Sequence, residues 1–355
     1  MTEPLSLEPT VIARSRGGLG RITLNRPRAI NALDLDMIDQ IARILDDWEH
    51  DPDVGIVVLD GAGDRGLCAG GDVRSLYDQI TTGRAADTSA FFRAEYTLNA
   101  RIADYPKTIV TLADGITMGG GIGLAGHAAI RIVTERSKLA MPETRIGFTP
   151  DVGGTWLLGR APGRLGEYLG VTGAVMDAAD AIYAGFADHF VPSDRLDGLR
   201  EALETRADPP TPTGIVLLFD ETPGPSRLEA ARPWIDDAFS AGTLTQIMER
   251  LGARTEPEAA ATLAVMEELS PTGMAVTLEA VRRARDLTDL RADLEQEYGL
   301  VMWFGQTQPD LVEGIRAQLV DKDRNPAWMP GTPADVKADA VASAFAHRPP
   351  VPLWD

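Results

Sequence analysis

Residues 114–159 read DGITMGGGIGLAGHAAIRIVTERSKLAMPETRIGFTPDVGGTWLLG. An apolar run at 108–112 leads in as a buried strand, and small residues at 118–129 follow with helical spacing. Two short strand patterns, 130–134 and 138–141, come next. The stretch carries a glycine cluster, Gly119-Gly120-Gly121-Ile122-Gly123, and two acids behind prolines, Pro142-Glu143 and Pro150-Asp151. Glycine lets a ligand approach bare backbone N–H groups. Proline fixes the backbone and stops a helix. A carboxylate on such a bend can act as base or nucleophile. Together these features read as an active site for a carbonyl substrate.

A second glycine-rich loop, GAGDRGLCAGGD at 61–72, has the same setting. It follows a buried-strand pattern at 55–60 and precedes a helix expected to open near Val73. Such turns point N–H groups outward, where the helix dipole favours negative charge. Two N–H groups from separate loops converging on one oxygen make an oxyanion hole, with Gly71 and Gly120 as the donors. A tight turn that needs positive φ explains either cluster taken alone. Glu143 and Asp151 also read as surface or capping acids, Asp151 capping a helix that starts near Gly153.

Outward from there, 11–24 reads as a hairpin around Arg16-Gly17-Gly18. Asp34 is an N-cap for a helix through Leu35, Met37, Ile38, Ile41, Leu45 and Trp48. Residues 88–103, 165–171 and 178–184 are helical in pattern, the first carrying Arg93 and Glu95. Alternating strand and helix indicate an α/β class. Composition shifts at 208–214, DPPTPTG, which reads as a linker or surface loop. Beyond it, helical periodicity recurs at 232–239, 243–251, 257–269, 272–284, 290–305 and 311–319, before a tail at 349–355. The expected organisation is an α/β core over 1–205 and a mostly helical region over 206–355.

The net charge of −19 argues against nucleic-acid binding. It also means that a phosphate-bearing ligand needs a local Arg/Lys patch. Cys68 is the one cysteine, so neither an intrachain disulfide nor a cysteine metal cluster is available. The four histidines lack ligand spacing, so no metal is expected. No stretch is apolar enough to span a bilayer, and MTEPLSLEPT lacks the basic and apolar parts of a signal peptide. A cytoplasmic location is the expectation.

Residues 121–126, GIGLAG, match the dinucleotide pattern literally, but Glu143 follows two short strands instead of ending the second strand of a βαβ unit. No G-x-S-x-G elbow occurs. Cys68 reads as a small buried residue, His127 as a core or capping histidine, and Arg131, Arg136 and Lys138 as a solvated face.

These residues resemble the crotonase (enoyl-CoA hydratase/isomerase) superfamily over about 11–200. The matching pieces are Leu24-Asn25-Arg26-Pro27 with Asn31-Ala32-Leu33, Cys68-Ala69-Gly70-Gly71-Asp72, and Gly115-Ile116-Thr117-Met118-Gly119-Gly120-Gly121. Further pieces are similar to its 3-hydroxyisobutyryl-CoA hydrolase branch: Gly71-Asp72-Val73-Arg74, Phe91-Phe92-Arg93-Ala94-Glu95-Tyr96, Met141-Pro142-Glu143-Thr144 and Phe148-Thr149-Pro150-Asp151-Val152-Gly153-Gly154. Ser270-Pro271-Thr272, Glu313-Gly314-Ile315-Arg316, Asp321-Lys322-Asp323 and Pro326-Ala327-Trp328 extend the likeness to nearly the whole chain.

The resemblance implies a ββα spiral with a mixed sheet and a helical C-terminal region that completes the acyl-CoA pocket. It implies that Gly71 and Gly120 hold the thioester oxygen. The loop carrying Arg26, Ala29 and Asn31, with Ala69, Gly70, Asp72 and Val73, would shape the CoA pocket. Glu95, Glu143 and Asp151 would line the acyl end. Arg26, Arg28 and Lys322 are candidates for the CoA phosphates. No cofactor is implied beyond the CoA of the substrate, and a homo-oligomer is compatible.

A hydratase of this superfamily uses two glutamates, one on the helix after the glycine cluster and one behind the proline. The first position is Gly123 here, and only Glu143 remains. Asp151 stands where hydratases carry a small residue. Loss of one acid and gain of another suits thioester hydrolysis, with 3-hydroxyisobutyryl-CoA of valine breakdown as the expected substrate. The rivals are an enoyl-CoA hydratase/isomerase and a non-catalytic CoA-binding protein.

Overall fold

The computed structural model describes residues 9–205 and 211–354. Eight strands form two sheets: β1 Val11–Arg16, β2 Leu19–Leu24, β3 Ile56–Gly61, β4 Thr108–Ala113, β5 Ile116–Met118, β6 Ile130–Val133, β7 Lys138–Ala140 and β8 His189–Phe190. The larger sheet runs β1-β2-β3-β4-β6-β8, and β5 pairs with β7 in the smaller one. β1 and β2 are antiparallel and the other pairs parallel, so the large sheet is mixed, as expected. The hairpin turn is Gly17-Gly18, both at positive φ (61° and 89°), which suits a two-residue connection.

Side chains alternate across the pleat. Val57 and Leu59 enter the main core, whereas Ile56 and Val58 enter a second core on the opposite face. Helix Leu196–Thr205 covers that second face with Leu196, Leu199 and Leu203. Burial on both faces explains why these parallel strands read as continuous apolar runs.

Helix α1 (Leu35–His50) starts as expected, with the Asp34 side chain accepting from Met37 N at 2.9 Å. It buries Met37, Ile38, Ile41, Leu45 and Trp48 as one stripe. Next come α2 (Val73–Thr81), α3 (Thr88–Asp104), α4 (Gly120–Ala125), α5 (Gly154–Arg160) and α6 (Leu165–Thr172).

Three expectations need correction. The helix expected over 118–129 is only α4, because Met118 pairs with Ala140 at the end of β5 and Gly119 turns the chain at φ 49°. Of the expected linker, residues 208–210 lie outside the described residues. Pro212-Thr213-Gly214 instead open helix Pro212–Leu217, with Pro212 at its first turn and Thr211 as N-cap. The helix expected over 311–319 is Pro309–Ile315 followed by a π-helical turn, Arg316–Val320.

The C-terminal helices do not form a separate body. One apolar core runs from Val11 to Leu353. Phe148 stacks on Phe92 of α3 (6.2 Å between centroids) and meets Phe304 of helix Leu290–Thr307 (5.5 Å). That helix therefore lies directly behind the stretch quoted at the outset.

Candidate active site

The two glycine loops are tied edge to edge. Cys68 N donates to Ile116 O and Met118 N to Cys68 O (3.2 and 3.0 Å). On its other side the first loop bridges to Leu33: Leu33 N donates to Gly70 O and Asp72 N to Leu33 O (2.9 and 2.7 Å). That pairing uses the neighbours of Gly71 and turns the Gly71 N–H the opposite way. The Gly120 N–H opens α4 and is one of the donors that a helix start leaves unmatched. Among the described residues neither amide is taken by a backbone acceptor. A Cβ on Gly120 would lie 3.3 Å from Gly71 N, and one on Gly70 3.7 Å from Gly120 N. The two amides are neighbours and both are available.

Three carboxyls surround them. Glu95 comes from α3, Glu143 from the 3-10 turn Glu143–Ile146, and Asp151 from the segment before α5. Their exposures are 2%, 7% and 7%. A Cβ on Gly119 would be 3.1 Å from Glu143 Oε1, so this acid stands against the glycine turn. Oε1 of Glu95 and Oε2 of Glu143 are buried without a hydrogen-bond partner among the described residues. Buried polar atoms in this state are rare in proteins, and these two belong to residues that line one cavity.

Burial raises all three acids, and neighbouring charge adds to it at Glu95 and Glu143. Burial pushes Asp151 up to about 7, against the Tyr96 O–H that donates to its Oδ2 at 2.8 Å. Burial and then the Asp151 charge push Glu143 well above the usual carboxylate range. Glu95 is raised by burial, Asp151 and Glu143 in turn. Like charges this close in a dry site cannot all ionise. They titrate as one cluster.

A cavity of about 330 Å3 opens onto this group. Ala69, Gly70, Gly71, Asp72 and Val73 line it from the first loop, and Gly119, Gly120, Glu143, Asp151 and Glu95 from the second half of the site. Phe91 and Phe92 form an apolar wall. Gln318 and Leu319 of the π-helical turn complete it, so the C-terminal region reaches the pocket.

Other expected residues are not brought to that cavity. The Arg26 guanidinium donates to Ala32 O (2.6 Å) and Asp72 (3.2 Å) and pairs with Asp34 (3.3 Å), so it ties its own loop to the glycine loop. Asn31 is wholly buried; its amide donates to Ala62 O, Gly66 O and Leu67 O, each at 3.1 Å, as an internal tie. Ala29, Arg28 and Lys322 are exposed and stand away from the lining. Among the described lining residues the cation is Arg145, two positions past Glu143.

Asp151 does not cap α5. Gly153 is the N-cap there, and the N–H groups of Gly153 and Thr155 donate to Glu297 (2.6 and 2.8 Å). At Gly123 a Cβ would meet Asn99 Nδ2 and Val152 Cβ, both at 2.7 Å, so no side chain fits. Burial lowers His127 to about 4, leaving it neutral, and its Nε2–H donates to Val152 O at 2.8 Å. Cys68 is fully buried, with its thiol pushed up to about 12 by burial. Arg131 is no plain solvated residue: it forks onto Asp188 (2.5 and 2.9 Å), and Arg136 pairs with Asp114.

Sequence reasoning missed Tyr96, Arg145, Gln318, Leu319 and Glu297. Tyr96 had a signal, its adjacency to Glu95. Glu297 had none, because it acts on a turn 142 residues away.

The chain was compared with known proteins. A family model described as "Enoyl-CoA hydratase/isomerase" matches residues 19–345. The chain is 39% identical to "3-hydroxyisobutyryl-CoA hydrolase, mitochondrial" of Rattus norvegicus over 94% of this chain and 88% of that one. It is 37% identical to "3-hydroxyisobutyryl-CoA hydrolase 1" of Arabidopsis thaliana over 97% and 93%. Among solved structures, a carnitinyl-CoA dehydratase from Mycobacterium thermoresistibile superposes with a TM-score of 0.91 at 44% identity, covering 97% of this chain and 98% of that one. An enoyl-CoA hydratase from Rhodobacter sphaeroides does so at 0.91 and 45%, covering 98% and 100%. With paired glycine amides at the mouth of a buried acid cluster and a likeness that spans the whole fold, this chain belongs to the enoyl-CoA hydratase/isomerase (crotonase) family.

Proposed function

We propose that this protein hydrolyses a short 3-hydroxyacyl-CoA thioester, with 3-hydroxyisobutyryl-CoA of valine breakdown as its substrate. The observation that carries the reading is the blocked space at Gly123 beside the acid pair Glu143 and Asp151. Hydration of a double bond needs one group to hold water and another to manage the α-proton. With Asn99 and Val152 filling the first glutamate's place, that pair is missing. The names of the rat and Arabidopsis relatives support hydrolysis. The names of the two solved structures point to dehydration and hydration, and the filled space at Gly123 weighs against carrying those activities over.

In the proposed reaction the thioester oxygen sits between the Gly71 and Gly120 amides, each worth ~3 kcal/mol once negative charge develops. In its ionised form Glu143 supplies the attack on the carbonyl carbon, either through a water it deprotonates or directly, to give a mixed anhydride that a water cleaves after the thiolate has left. The C–S bond then breaks. A thiolate, with a thiol pKa of about 8.5, leaves without a strong general acid, so the steps call on no metal or further cofactor. Asp151 and a protonated Glu95 hold the substrate 3-hydroxyl; a neutral carboxyl can donate as well as accept. Arg145 takes over from Arg26 as the cation proposed for the CoA phosphates. A reducing compartment, the cytoplasm in our reading, suits a chain with one cysteine. A homo-oligomer is part of the same proposal, and sedimentation tests it.

The deciding experiment presents 3-hydroxyisobutyryl-CoA and crotonyl-CoA side by side. Thiol release from the first, read with a disulfide reagent, and no loss of enoyl absorbance from the second are expected. The reverse pattern would give the chain to the hydratases, and CoA binding without turnover would make it a binding protein.

A further inference from the structure

Val152 is β-branched, yet it sits at φ 56°, in the left-handed region. Such a residue is a genuine outlier there, and the conformation persists only where its surroundings over-determine it. Both sides of this turn are held. His127 Nε2 donates to the Val152 carbonyl at 2.8 Å. Beyond it, Glu297 of helix Leu290–Thr307 accepts from Gly153 N (2.6 Å), Thr155 N (2.8 Å) and the Thr155 hydroxyl (2.7 Å). Glu297 is fully buried, and so is Asp293 one turn before it, whose two oxygens each lie 3.0 Å from the same hydroxyl.

The turn has two products. Asp151 is released from capping duty and faces the cavity, with Tyr96 O–H on its Oδ2. Val152 puts its Cβ where a side chain on Gly123 would begin. One backbone conformation thus brings in the added acid and closes the space of the absent one.

We propose that Glu297 is a positioning residue of the active site: by holding the N–H groups of Gly153 and Thr155 it keeps Val152 left-handed, and so aims Asp151 at the acyl group. The role assigned to Asp151 rests on the proposed hydrolysis; the conformation of the turn does not. Glutamine at 297 keeps one acceptor oxygen and presents an N–H where the second was.

The test is Glu297→Gln in the full-length protein. The expected result is a fall in kcat/KM of tenfold or more on 3-hydroxyisobutyryl-CoA, with a much smaller loss on the analogous acyl-CoA that lacks the 3-hydroxyl. Adding Val152→Gly should restore much of kcat/KM, since glycine takes positive φ without the clamp. In a crystal structure of Glu297→Gln, Val152 should leave the left-handed region and the Tyr96–Asp151 bond should open. Unchanged kcat/KM in folded Glu297→Gln, or a Val152 that stays left-handed with Asp151 still on Tyr96, overturns the proposal. If Glu297→Gln does not fold, Thr155→Val removes a donor from the same carboxyl at constant volume; it should lower kcat/KM on the 3-hydroxyacyl substrate, and an unchanged kcat/KM counts against the clamp. A parent enzyme that releases no thiol would sink the hydrolase reading and leave the φ measurement as the test of this one.

Discussion

Glu95 Oε1 lies 2.5 Å from the point where a Cβ on Gly120 would stand, and that same point is 3.3 Å from Gly71 N. A methyl group there enters the gap that the proposed oxyanion occupies and pushes on an acid of the cluster. Gly120→Ala is therefore expected to lower kcat by about 10²-fold or more, in the range seen when one oxyanion donor is lost. Steady-state kinetics against a parent of equal melting temperature checks this. A loss confined to KM would remove Gly120 from the oxyanion site.

Glu143→Gln should abolish thiol release while CoA still binds, as calorimetry would read. The same change should stabilise the protein at pH 8. Glu143 in the folded state is held well above its ordinary 4.5, with burial the largest cause. A raised pKa gives stability that is full below the unfolded value and lost as pH rises toward the folded one. Removing the ionisable group recovers that loss, on the order of 1 kcal/mol or roughly 2 °C in Tm for a chain of this size. The gain should shrink toward pH 5, and an equal gain at both pH values would contradict the burial argument.

Asp151→Asn should move the acid limb of the pH–rate profile to lower pH, whatever it does to the height. In the parent burial pushes Asp151 up to about 7, and its charge, once present, helps to hold the proton on Glu143. Without that charge only burial opposes ionisation of Glu143, which then reaches its active form at lower pH. A limb that stays put or moves up would show that Glu143 and Asp151 are not coupled.

Arg145→Gln should raise KM for the CoA thioester and leave that for the matching pantetheine thioester unchanged, because the shorter substrate lacks the nucleotide phosphates. Equal effects on both would place Arg145 at the acyl end instead.

A single turnover in 18O-labelled water tests for direct attack by Glu143, because label in its carboxyl arises by that route alone. A mixed anhydride opened at the Glu143 carbonyl leaves label in that carboxyl, which is the expected outcome of direct attack; activation of water, like opening at the substrate carbonyl, labels the product acid alone. Mass spectrometry of the peptide carrying Glu143 reads the difference.

The parts of this molecule that show in its sequence are those set by local rules. Gly17-Gly18 marks the hairpin, Asp34 caps α1, and the apolar runs of β3 and β4 are buried on both faces. The glycine loops with Glu143 and Asp151 also stand out, because glycine and proline mark unusual backbone. What stayed hidden depends on partners distant in the chain. Arg26 looks like a free cation until Asp34 and Asp72 are seen beside it. Asn31 looks like a ligand group until its three carbonyl partners appear. Asp151 looks like a cap until Glu297 arrives to take the N–H groups in its place.

Cys68 lies fully buried behind the first glycine loop, with its thiol held near 12. Almost none of it is thiolate at neutral pH, and no surface route leads a dye to its sulfur. An intact sample should give a zero blank with any chromophoric sulfhydryl probe, so each equivalent of colour during turnover is liberated coenzyme. After denaturation the same probe should count one further equivalent per polypeptide, which yields the total chain concentration from the cuvette that yielded the rate.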